Sequence, residues 1–152
     1  MEQKAEMARF REVVSILRSR FPQLKLVVEE NDPNVTGNCD ILKQPGLDFD
    51  LNINLQNLDE LHLCVSKFWV EWFPCGRQEV FDSFVSAVVG ILSGEYRIVN
   101  YFVGRLHTSS DLQRFQDGRW EKVTGCANPA ALIPWPREAL VVQNTQGDLT
   151  GR

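Results

Sequence analysis

The sequence predicts an α+β domain: one mostly antiparallel, twisted sheet with two helices packed on one face. Three observations predict it. Two segments carry apolar residues at the 3.6-residue helical period. The stretches between and after them alternate apolar and polar residues at period two. Clusters of Gly, Pro, Asn and Asp separate these segments.

Residues 2–21 are read as the first helix. Met7, Phe10, Val14, Leu17 and Phe21 fall on one stripe, and Pro22 stops it. A short strand follows at Leu24–Glu29. Asn31–Gly46, rich in Asp, Asn, Pro and Gly, reads as a long loop. From Leu47 to Gln56, Leu47, Phe49, Leu51, Ile53 and Leu55 alternate with Asp48, Asp50, Asn52, Asn54 and Gln56. Strict alternation specifies a strand with one core face and one wet face. Residues 60–73 read as its hairpin partner. Here the apolar positions change phase between Val65 and Phe68, which predicts a β-bulge near Ser66-Lys67. On that register Trp69 and Glu71 face outward, beside the acid- and amide-rich face of the preceding strand.

Gln78–Ser93 forms the second helix, with Phe81, Phe84, Val85, Val88, Ile91 and Leu92 on its apolar side and Gly94 as its stop. Tyr96–Leu106 is a further strand. Residues 112–115 and 119–124 flank Asp117-Gly118, the strongest short hairpin signal. Pro129, Pro134 and Pro136 keep the next stretch irregular, and Leu140–Gln143 is a last short strand. One domain over 1–144 with a flexible tail at 145–152 accounts for the whole chain.

Composition narrows the function. No apolar run reaches the roughly 20 residues of a membrane span, and the charged N-terminus lacks a signal core. The reading is cytoplasmic, with the four cysteines as reduced thiols that form no C-x-x-C pair. Net charge is −4. Residues 31–74 carry seven acids against two bases, so the excess acid sits centrally. Clustered Lys and Arg would mark a nucleic-acid binder, and an acidic centre points instead to a basic protein partner.

No phosphate-binding loop, dinucleotide fingerprint or H-E-x-x-H motif occurs, so no cofactor and no metal are expected. His62 and Cys64 share a strand face as a conceivable thiolate–imidazole pair, and His107 precedes the polar turn Thr108-Ser109-Ser110. Asp48 and Asp50 are a conceivable carboxylate pair. None of these has the surrounding pattern of a catalytic centre, and the chain is read as a non-enzyme. The candidate partner-binding residues are Asp48, Asp50, Asn52, Asn54, Trp69 and Glu71, with Trp69 as an aromatic anchor.

The segments Phe68-Trp69-Val70-Glu71-Trp72-Phe73-Pro74, Leu92-Ser93-Gly94-Glu95-Tyr96-Arg97-Ile98 and Pro134-Trp135-Pro136-Arg137 resemble a bacterial family of small proteins that brings no assigned activity. In size, acidity and absence of catalytic motifs the chain also resembles, by type, immunity proteins of contact-dependent and polymorphic toxin systems. That resemblance implies a cytosolic inhibitor that binds and neutralises a basic toxin domain, with a homodimer possible. The order of elements further resembles type III secretion chaperones, which implies the alternative of a chaperone or adaptor.

Overall fold

In the computed structural model, which describes residues 2–146, two helices and nine strands alternate in an α+β arrangement. Helix α1 spans Glu2–Arg20. Strands β1 (Val27–Glu29), β2 (Gly37–Ile41), β3 (Leu51–Gln56), β4 (Glu60–Val65) and β5 (Phe68–Trp72) follow. Helix α2 (Gln78–Ser93) precedes β6 (Tyr96–Val103), β7 (Leu106–Gln116) and β8 (Arg119–Ala127). A short 3₁₀ turn at Pro129–Leu132 leads to β9 (Glu138–Val142). No helix among the described residues is long and apolar enough to cross a membrane.

The expectation of a single sheet is corrected. The strands form two antiparallel sheets, β1-β2-β3-β4-β5 and β8-β7-β6-β9. A strand has two hydrogen-bonding edges. Those of β6 are taken by β7 and β9, and those of β7 by β6 and β8, so neither can extend the first sheet from β5. A shared apolar core, which takes in Ile98 and Leu112 of the second sheet, and a polar contact join the sheets instead. Asn100 of β6, wholly buried, donates from Nδ2 to Ser66 Oγ at 3.2 Å and accepts from Ser110 Oγ at 2.5 Å.

Both helices face one common core. Phe10, Val14, Leu17 and Phe21 of the predicted stripe are buried, joined by Val13. On α2, Phe81, Phe84, Val88, Ile91 and Leu92 are buried. Each such side chain contributes roughly 1.5–3 kcal/mol by leaving water. The predicted bounds of α2 match the structure, and Gly94 ends it at φ 82°, where only glycine is unstrained. The Asp117-Gly118 turn also forms, with both residues at positive φ (52° and 76°) between β7 and β8.

Three local expectations are revised. The 31–46 loop contains β2, an interior strand hydrogen-bonded to β1 and β3. Its Cys39 and Ile41 are buried, while Asn38 and Asp40 face outward. Gly37 lies under α1: a Cβ there would stand 2.9 Å from the Phe10 ring. The long strand predicted at 47–56 begins only at Leu51. A turn over Gln44–Leu47, closed by reciprocal backbone bonds between those two residues and with Gly46 at φ 91°, comes first, and Asp48–Asp50 form an irregular lead into the strand. The bulge at Ser66-Lys67 is a two-residue hairpin turn, with Val65 opposite Phe68 and Ser66 at φ 54°. The turn reverses the chain, so Leu61, Leu63 and Val65 share a face with Trp72, Val70 and Phe68, as the phase change required.

Of the tail expected at 145–152, residues 147–152 lie outside the described residues. Segment 143–146 is tied down. Gln143 donates to the Gly94 carbonyl, and the buried Asn144 donates to the carbonyls of Gly46 and Leu92.

Candidate functional site

The outward face of the first sheet assembles from strand register. One row across it reads Val27, Asp40, Asn52, Cys64, Trp69, and the next reads Glu29, Asn38, Asn54, His62, Glu71. Gln56 and Glu60 begin a third. Directly opposed residues share a face, so every charged side chain in these five strands points outward. All four are acids: Glu29, Asp40, Glu60 and Glu71. These strands contain no Lys and no Arg.

A chain of side-chain hydrogen bonds runs across this face. Gln56 Nε2 donates to Asn54 Oδ1, and Asn54 Nδ2 to Asn52 Oδ1, each at 2.7 Å. Asn52 Nδ2 donates to Asn38 Oδ1 at 2.8 Å and Asp40 Oδ1 at 2.7 Å, and Asn38 Nδ2 donates to Asp40 Oδ2 at 3.0 Å. The amide dipoles align toward the Asp40 carboxylate, and aligned bonds polarise one another. Each amide is thereby fixed in orientation.

Trp69 sits at the other end, 55% exposed. Its Nε1–H donates to His62 Nδ1 at 2.8 Å, and the two rings stack at 5.6 Å and 28°. Because Nδ1 accepts, the neutral ring carries its proton on Nε2. That nitrogen donates to Glu60 Oε2 at 3.0 Å. Glu60 also accepts from Asn57 Nδ2 at 2.8 Å, and these two bonds, Asn57 foremost, hold its carboxyl below the usual range. The Trp69 ring is thus locked from one side while the rest of it meets solvent. His62 beneath it is only 4% exposed. The carboxylates of Glu29 and Glu71 have no hydrogen-bond or ion-pair partner among the described residues.

Of the six candidate residues, the structure brings together Asn52, Asn54, Trp69 and Glu71. Asp48 and Asp50 precede β3, outside its ladder, and their carboxylates are bonded apart from the amide network. Asp48 accepts from the backbone N–H and hydroxyl of Thr145 and from Gln146 Nε2. These bonds, the backbone one foremost, hold its carboxyl below the usual range. Asp50 accepts from the Lys43 backbone N–H at 2.7 Å. Both are structural acceptors. Asp40, Asn38 and Glu60 were missed by sequence reasoning. The alternation Asn38/Cys39/Asp40/Ile41 was the available signal, hidden in a segment of turn-forming composition.

The conceivable catalytic pairs take other roles. Both His62 nitrogens are engaged by Trp69 and Glu60, and burial pushes the Cys64 thiol up to about 11, so nothing activates it. His107 Nε2 meets Ser110 Oγ at 2.8 Å, but that hydroxyl spends its proton on Asn100 Oδ1. His107 is then the donor, the reverse of a base activating a nucleophile, and Ser110 is fully buried. Among the described residues no three His, Cys, Asp or Glu side chains converge as around a cation. Comparison with protein-family models, with curated proteins and with solved structures returns no match.

Proposed function

We propose that this chain is a protein-binding module of the immunity type, which holds a basic toxin domain against the outward face of its first sheet and so neutralises it. The observation that carries the reading is the charge of that face: four acids, no Lys or Arg in its strands, and an exposed tryptophan already fixed in position. A uniformly acidic surface steers a basic partner and raises its association rate by about 10–10³-fold at low salt. Fixing Trp69 and the amides beforehand lowers the entropy lost on docking. Trp is favoured as an interface anchor because it buries a large rigid surface. A toxin that grips phosphate needs a basic surface, and an acidic inhibitor covers that same surface.

The test is co-expression with the product of the gene immediately upstream. The native chain should relieve that product's toxicity and bind it with strong salt dependence. The double variant Trp69→Ala with Glu71→Lys should remain folded and lose protection. Full protection by the folded double variant would remove this face from the interaction, and an upstream product without toxicity would remove the immunity reading.

A further inference from the structure

A second surface, on the outward face of the other sheet, has the opposite chemistry. A cleft of about 580 Å³ opens between the strands and the segment that follows β8. Tyr101 and Ser109, opposite each other on β6 and β7, and Gly125 and Ala127 of β8 form its floor. Ala131 of the 3₁₀ turn and Arg137 close over it, joined by a bond from Arg137 to the Ala131 carbonyl.

The polar inventory of this cleft is unbalanced. Its one acid, Asp111, is matched by Lys122 at 3.0 Å. Arg137 has no carboxylate partner, only that backbone carbonyl, and the Tyr101 and Ser109 hydroxyls have no partner among the described residues. Three donors therefore line one cleft, with one positive charge that no carboxylate balances. The close approach of β7 calls for glycine at position 125 of the floor, since a Cβ there would lie 2.7 Å from the Ser110 carbonyl and 2.9 Å from Asp111 Oδ1.

We propose that the cleft is a binding site for a small organic carboxylate. The guanidinium of Arg137 takes the carboxylate in its planar fork. The hydroxyls of Tyr101 and Ser109 complete the polar end, and the carbon chain lies over Gly125, Ala127 and Ala131. A phosphate dianion would call for several free cations, and Lys122 is already neutralised by Asp111. This site is separate from the acidic face and does not depend on the immunity reading.

Titration of the ¹⁵N-labelled chain with acetate, butyrate and benzoate, against phosphate at matched ionic strength, tests it by amide shifts. Carboxylates should give saturable shifts confined to Ser109, Gly125, Ala127 and Ala131. Arg137→Gln should weaken binding at least about tenfold, the loss expected for a hydrogen bond to a charged group. Tyr101→Phe, which keeps the shape of the floor, should weaken it severalfold. Arg105→Gln, in the exposed turn between β6 and β7, should leave it unchanged. Shifts scattered over the surface, phosphate binding as tightly as the carboxylates, or undiminished binding by folded Arg137→Gln protein would each overturn the proposal.

Discussion

The two sheets solve the problem of an outward face differently. On the first, the acids meet no Lys or Arg from their own strands, and neutral amides are lined up by one another. On the second, charges are largely settled internally. Lys122 pairs with Asp111, Arg119 with Glu121, and Arg97 lies 4.2 Å over the Trp120 ring while bonding Gln113. The difference teaches where an outside partner has something to gain. A matched pair gives little to a newcomer, because the newcomer must first displace the existing partner. An unmatched acid beside a fixed aromatic ring offers its full interaction. The same logic singles out Arg137, the cation in the second sheet's cleft without a carboxylate.

The largest effect that sharpens this comparison lies under the first sheet. Trp72 and Trp69 are three positions apart on one strand and on opposite faces. Trp72 packs edge-on against Phe84 and donates to Ser83 Oγ at 3.2 Å. Trp72→Ala should cost about 3–5 kcal/mol in urea unfolding, as a core cavity does. Next comes the seam between the sheets. Asn100→Ala removes the acceptor of the buried Ser110 hydroxyl, leaving it His107 alone, and should cost about 1 kcal/mol. A negligible loss would mean that the sheets are joined by apolar packing alone.

Trp69→Ala should cost less than about 1 kcal/mol in the same measurement, because water can replace its bond to His62. A penalty equal to that of Trp72→Ala would show that the outward ring is part of the fold, and the contrast between the two faces would fail. The smallest effect at neutral pH concerns Asp48. Its folded-state pKa lies below the unfolded one, so in that window the unfolded chain binds more protons and stability rises with pH. The contribution is present above the ordinary carboxylate range and is lost as pH falls through the depressed value. Asp48→Asn should therefore flatten the acid limb of a urea midpoint-against-pH curve. An unchanged acid limb would mean that the bonds to Thr145 and Gln146 do not persist in solution.

Legibility followed the range of the interaction. The Asp117-Gly118 turn and both ends of α2 were readable because turn chemistry, capping and helical period act within a few residues, whereas β7 and β8 run beyond the 112–115 and 119–124 expected of them. The outward direction of Trp69 was readable too, although a hairpin turn and not a bulge produces it, since side-chain alternation survives either device. β2 was not readable. Its Gly, Asn and Asp disfavour a strand locally, and the segment is held extended only by ladders to β1 and β3 and by Phe10 lying over Gly37. Asp48 was misplaced for a similar reason: its partners, Thr145 and Gln146, are 97 and 98 residues away in the chain.

By itself the sequence determined the helices, the alternating faces, the acidic centre and the mixed α+β composition, because periodicity and charge are properties of neighbouring residues. Tertiary structure decided the split into two sheets, the strand inside the apparent loop, and which acids stand together. Those outcomes depend on hydrogen-bond edges being filled or open, and an edge is filled by a strand that can lie anywhere in the chain.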